Sequence, residues 1–353
     1  MDNPVINCKR DNNYDLLRII ATVAVIMIHV NFGLFSSRYT KPDGTLTWTV
    51  EALINIITRF SVPSFVMLSG AYNLKTSGGI AFYKKTSYKV FLPTMVVIVL
   101  LFIMNAVWSL YRHVSVEWAV TSILMGRFYN LWYMYMLAGL YLLTPLIFLA
   151  KEHLSVKQYT IVSVLMMIWA IISQATSSTR LPYSIGVVFP FAAYYMLGDV
   201  LYRWVRTIKN VQKTRALAYF CSALSIIISY IVREQGFNYY VYEAHTTFFS
   251  PCTFIYSVAM FVLFGTLHVQ RDLRWLSNQT FYVYLFHTAV LHIIVRIKPF
   301  YSEIVLIAVQ TTLTFFLSLV LAALFGKEWE CCCKRISLRE KWYNMGIWKK
   351  LAG

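Results

Sequence analysis

The sequence predicts an all-α integral membrane protein: a single bundle of about ten transmembrane helices, with the N-terminus and the C-terminus both cytoplasmic. Three observations carry that prediction. Of the 353 residues, 58% are hydrophobic and only 13% are charged, against roughly 25% charged in soluble domains. Mean hydropathy is +0.58. Apolar runs near the roughly 20 residues needed to cross a bilayer recur along the chain. Lys and Arg also fall in alternate connections: 22 of the 32 lie in the segments that share a side with both ends, eight lie on the other side, and Arg18 and Arg59 lie inside helices. Cytoplasmic loops collect such charges.

The spans follow in order near 14–33, 52–73, 88–108, 130–149, 158–175, 183–202, 214–232, 248–268, 279–297 and 302–326. The first is DLLRIIATVAVIMIHV and its flanks. The second contains Pro63, which opens a backbone hydrogen bond and is tolerated only where protein or a cavity satisfies the freed carbonyl. The third opens at Pro93 after a basic stretch. Gly, Pro and polar residues interrupt the fourth and sixth. Residues 1–326 read as one membrane domain. Residues 327–353 read as a basic cytoplasmic tail, amphipathic or irregular, at the bilayer surface. No internal repeat, low-complexity tract or Gly-rich phosphate loop is present.

The net charge of +17 is accounted for by cytoplasmic loops facing anionic headgroups, so nucleic acid is excluded as a partner. No CxxC pair is joined by a His cluster, and no metal site is expected. Cys331, Cys332 and Cys333 read as reduced cytoplasmic thiols, with lipidation as the alternative. No small-residue cleavage motif follows the first apolar run, so it is not read as a cleaved signal peptide.

Function is carried by polar groups where lipid should forbid them. A charge at mid-membrane costs about 3 kcal/mol on insertion scales, and such residues face a bundle interior or a wet cavity. Arg18 and His29 are eleven residues apart, within roughly 20° of three full turns, so they share one face of the first helix about 16 Å apart along its axis. Asp15, one turn before Arg18, pairs with it or orients it. Guanidinium binds phosphate bidentately, and imidazole is the usual general base at neutral pH. The plainer alternative is that Arg18 snorkels to headgroups and His29 hydrogen-bonds a neighbouring helix. On the second helix, RFSVPSFVMLSG places Arg59 at about the depth of His29, and Ser69 and Gly70 near the level of Arg18. His287, in SNQTFYVYLFHTAVLH, lies at a depth between Arg18 and His29. His292 reads as structural and Asp199 as interfacial. Glu243 and His245 lie in an outer loop and could touch an external substrate.

Together these stretches resemble the acyltransferase-3 family of integral membrane acyltransferases. Asp15, Arg18 and His29 match its Arg-x10-His signature. VPSFVMLSG (62–70), YKKTSYKVFLP (83–93), LWYMYMLAGLYLLTPL (131–146), YYMLGDVLYR (194–203) and TFYVYLFHTAVL (280–291) follow in the family's order. The resemblance implies transfer of an acyl group, acetyl by default, from cytoplasmic acyl-CoA to a hydroxyl of a cell-surface or lipid-linked glycan. It implies His29 as base, with Arg18 and Asp15 beside it at the donor side. It implies substrate or donor binding by Arg59, Ser69, Tyr72, Lys85, Lys89, Trp132 and His287, with Lys84 a further candidate for the donor phosphates. Acyl-CoA is then a co-substrate, with no permanently bound cofactor. The implied location is a plasma or inner membrane, crossed many times, with a homo-oligomer among the open states. Two departures stand out: Ala71, not tyrosine, follows Gly70, with Tyr72 next, and no esterase-like domain follows the last span. A transporter or flippase of glycans or solutes is the rival class, since intramembrane Arg and His also mark transport paths. Repeats of the transporter type are not visible.

Overall fold

The computed structural model describes residues 11–35, 44–75, 79–112, 117–124, 129, 131–176, 188–235, 247–296 and 302–351. All regular structure among them is helical. Helix α1 (Asn12–Phe35) is followed by α2 (Leu46–Thr58), α3 (Ser61–Asn73), α4 (Ile80–Thr86), a π-helical turn (Ser87–Phe91) and α5 (Leu92–Arg112). Then come α6 (Glu117–Leu124), α7 (Trp132–His153), α8 (Val156–Thr176), α9 (Val188–Val205) and α10 (Val211–Glu234). Helices α11 (Pro251–Gly265), α12 (Arg274–Ile294) and α13 (Glu303–Leu351) complete the chain. Every segment expected to span carries helix, and seven helices among the described residues are long and apolar enough to cross a membrane by length and composition. The rest of the predicted count falls on α9, α11 and α12. Helix α11 has 15 residues. Helices α9 and α12 have tyrosines, hydroxyls and ionisable residues in place of a pure apolar run.

Packing explains that difference. Every residue of α9 from Phe191 to Asp199 is buried, because the helix is enclosed by α3, α8, α7 and α11. Its polar groups find partners there: the Tyr194 hydroxyl donates to the Phe248 carbonyl at 2.6 Å, and the Tyr195 hydroxyl meets that of Thr144 at 2.9 Å. Helix α12 is similarly enclosed by α1 and α13. Enclosed helices meet protein rather than lipid, so satisfied polar side chains are tolerated.

Local chemistry sets the breaks. Asp11 and Thr45 cap α1 and α2 by accepting the backbone N–H of Asn13 and Trp48. The α2–α3 break lies at Arg59 and Phe60, four residues before Pro63, whose missing N–H leaves the Arg59 carbonyl without its helical donor. Pro93 likewise has no N–H to offer the Lys89 carbonyl, and the chain widens there into the π turn, where the Leu92 N–H donates to the Ser87 carbonyl. The Trp329 indole N–H, from α13, donates to the Tyr88 carbonyl of that turn at 2.9 Å. Helix α13 continues without a break past residue 326 into the basic tail, and Cys331 on it is exposed.

Asp199, read from sequence as interfacial, is only 1% exposed. It accepts from Lys151 at 3.2 Å and from Arg203 at 2.8 Å. Lys151 also donates to the Leu74 carbonyl at the end of α3 at 2.6 Å, so one carboxylate ties α3, α7 and α9. Removing one partner of a buried pair costs about 3–5 kcal/mol. Arg203 is 38% exposed, so we expect Asp199→Ala to fall at the low end, about 3 kcal/mol. Asp272→Ala, which breaks an exposed pair with Arg274, should cost under ~1 kcal/mol. Thermal unfolding of both variants in detergent checks this; equal shifts would dismiss the structural role of Asp199.

Candidate functional site

At the end of the bundle where α1 begins, three tyrosines from three helices meet. Tyr202 of α9 lies 5.4 Å from Tyr14 and 5.7 Å from Tyr72, between ring centroids. Three cations cover these rings. The Arg18 guanidinium stands 4.7 Å over Tyr72. Lys75 Nζ lies 4.6 Å over Tyr72 and 4.0 Å over Tyr202. Arg206 stands 4.2 Å over Tyr202 and donates to its hydroxyl. Such contacts hold a cation by the negative face of the ring.

Arg18 is fixed from below. Its Nη1 donates to Asp15 at 3.0 Å, and Asp15, fully buried, also accepts from Ser277 of α12 at 2.6 Å. The Arg18 side chain nevertheless keeps 23% exposure. Thr22, next on that face of α1, returns its hydroxyl to the Arg18 carbonyl, as an otherwise unsatisfied hydroxyl in a spanning helix must. Val25 follows, buried, and then His29, which is partly exposed.

A ladder of rings joins the two levels. Ser69 donates to the Phe65 carbonyl, and the hydroxyls of Tyr133 and Tyr141 lie against it. Tyr133 is 5.3 Å from Tyr284, Tyr284 is 5.3 Å from His287, and His287 is 5.2 Å from His29, centroid to centroid. Arg59 acts on His29 electrostatically. Its Nε donates to Asn55 at 3.1 Å, and its guanidinium lies 5.6 Å over Phe248, which in turn packs on Trp132. Arg59, His29 and His287 therefore share one depth, and Trp132 stands beyond them towards the end where α7 begins.

The structure thus gathers Asp15, Arg18, Ser69 and Tyr72 near one end, and His29, Arg59, His287 and Trp132 deeper in. Lys84, Lys85 and Lys89 are exposed on α4 and the π turn. His292 is exposed, edge-on to Tyr129 at 5.2 Å. Glu243 and His245 lie outside the described residues. Among the described residues, no three His, Cys, Asp or Glu side chains are grouped to hold a metal. Sequence reasoning passed over Lys75, Arg206, Ser277, Tyr133 and Tyr284. For α12 the signal was present: Ser277, Thr280, Tyr284 and His287 follow i, i+3, i+7, i+10, one helical face. Lys75 and Arg206 looked like ordinary loop charges until the fold set them over tyrosines.

A family model described as an acyltransferase domain, Acyl_transf_3, matches residues 11–326. No curated protein and no solved structure is similar enough to match the chain.

Proposed function

The chain belongs to the acyltransferase-3 family and is a multi-pass membrane acyltransferase, and on that premise we propose that it carries an acyl group, acetyl first, from cytoplasmic acyl-CoA to a hydroxyl of a cell-surface or lipid-linked glycan. The observation that carries this reading is the chain of side-chain contacts that runs from the cation-covered tyrosines through Ser69, Tyr133 and Tyr284 to the His29–His287 pair. Its cationic end matches a phosphate-rich donor, and its deep end offers a base.

In this reading both termini lie in the cytoplasm, as the Lys and Arg bias supports. The donor's phosphates engage Arg18, Lys75 and Arg206, and its arm runs along α1 towards His29. A sugar hydroxyl enters from the Trp132 side. His29 takes the hydroxyl proton as the oxygen bonds to the thioester carbonyl carbon. The carbonyl electrons move to oxygen, where Arg59 meets the developing charge. Collapse breaks the C–S bond, and the departing thiolate takes the proton from His29. Ester and free thiol leave, and the base is restored.

Two measurements test the donor half. Purified protein in nanodiscs, given labelled acetyl-CoA and surface glycan, should transfer label; no transfer would end the reading. In the same assay, Lys75→Ala with Arg206→Ala should raise KM for acetyl-CoA about tenfold, the equivalent of roughly one charge-assisted hydrogen bond, with kcat little changed. Added salt should weaken binding to wild type more than to the double variant. An unchanged KM would remove these two cations from the donor site.

A further inference from the structure

His287 is 1% exposed, and the scheme above gives it no task. Its Nδ1 lies 2.6 Å from the Tyr284 carbonyl oxygen. A carbonyl only accepts, so Nδ1 carries the N–H, and in the neutral ring Nε2 is left with a lone pair. That Nε2 is buried and has no hydrogen-bond partner among the described residues. Buried acceptors are nearly always satisfied, so an exception asks for an explanation. Here the acceptor belongs to a ring 5.2 Å from His29, tilted 44° to it. Two imidazoles with centroids at that spacing can each meet a different oxygen of one molecule over a hydrogen-bond length of roughly 2.8 Å.

We infer that His287 is a binding residue for the acceptor, and that the acceptor presents a vicinal diol: one hydroxyl to His29, which is acylated, and its neighbour on the adjacent carbon to His287 Nε2. This rests on the acyl-transfer reading and deepens it. The acylated oxygen loses its proton to His29 and gains the acyl carbon. The neighbouring hydroxyl only donates a hydrogen bond and is unchanged. A ring secondary hydroxyl with a free neighbour fits the pair; an isolated primary hydroxyl leaves Nε2 unsatisfied and is disfavoured for that reason.

The test uses the full chain in nanodiscs, acetyl-CoA and surface glycan as acceptor, with two substitutions that divide the imidazole. His287→Asn keeps a donor near Nδ1 for the Tyr284 carbonyl but has no acceptor at Nε2. His287→Gln reaches the Nε2 position with an amide oxygen. We expect Asn to raise KM for the glycan tenfold or more with kcat within about threefold, and Gln to restore KM to within about threefold of wild type. Mapping the esters by mass spectrometry and NMR should find each beside a free hydroxyl on the adjacent carbon. Equal KM in all three proteins, a loss confined to kcat, or an ester on an isolated hydroxyl overturns the assignment while the transfer reading stands. Wild-type protein that transfers nothing overturns both. Should Asn fail to fold, the ester map still decides.

Discussion

His29→Ala is expected to lower acyl transfer about 10²–10⁴-fold, the range that a positioned general base contributes. The fall should appear in kcat, with KM for acetyl-CoA held within a few-fold, because proton removal strengthens only as the oxygen attacks. His29 is partly exposed and stands apart from the cations over the tyrosines, so donor binding gives an independent control for a folded site. His29→Gln, which keeps size and polarity but has no basic nitrogen, should be as inactive as alanine. Initial rates with labelled acetyl-CoA, beside size-exclusion profiles and thermal unfolding, make the measurement. Turnover near wild type in a folded His29→Ala protein would remove the base from the scheme, and the acceptor assignment for His287 would then need another partner.

The polar face of α1 was legible because helical periodicity is a local property: eleven residues fix the angle between Arg18 and His29 whatever surrounds them. The pairing of Asp15 with Arg18 belongs to the same kind of fact, three residues apart on one helix. Hydropathy likewise found the peripheral helices, since a lipid-facing surface must be apolar along its whole length. The break in the second span was legible from Pro63, though it falls at Arg59 and Phe60, where the missing N–H is felt.

What sequence could not supply is distance between helices. His29 and His287 are 258 positions apart in the chain and 5.2 Å apart in space. Ser277 reaches Asp15 across a similar separation. Lys75 and Arg206 acquire meaning only from Tyr72 and Tyr202 beneath them. The partners of Asp199 were hidden for a related reason. A carboxylate near the end of an apolar run reads as interfacial, and nothing local points to Lys151, which comes from another helix. Enclosure acts the same way on whole elements: α9 and α12 have less apolar sequence because other helices stand between them and lipid.

A large stability effect should follow from the smallest addition, a methyl group at Gly70 or Gly198. In α3 and α9 these glycines face one another's backbone. A Cβ at Gly70 would overlap the Tyr195 carbonyl, and one at Gly198 would overlap the Met67 carbonyl. Small residues let spanning helices approach this closely, and van der Waals contact rather than water expulsion then holds them. A side chain met by another side chain can often be accommodated by a rotamer change; here the obstacle is backbone on both sides, so the helices must separate. Overpacking typically costs 1–3 kcal/mol and occasionally more. We expect Gly70→Ala and Gly198→Ala each to cost about 3 kcal/mol, and the pair to be sub-additive, since one separation relieves both overlaps. Function should fail with them. Gly70 lies between Ser69 and Tyr72, and moving α3 by a fraction of a helix radius takes the Tyr72 ring from beneath Arg18 and the Ser69 hydroxyl from the tyrosine ladder. Unfolding midpoints in a denaturing detergent series, with acetyl-CoA KM on the surviving folded fraction, check both halves. An alanine at either glycine that leaves the midpoint unchanged would mean that α3 and α9 do not pack backbone to backbone, and the placement of Tyr72 over Tyr202 would lose its support.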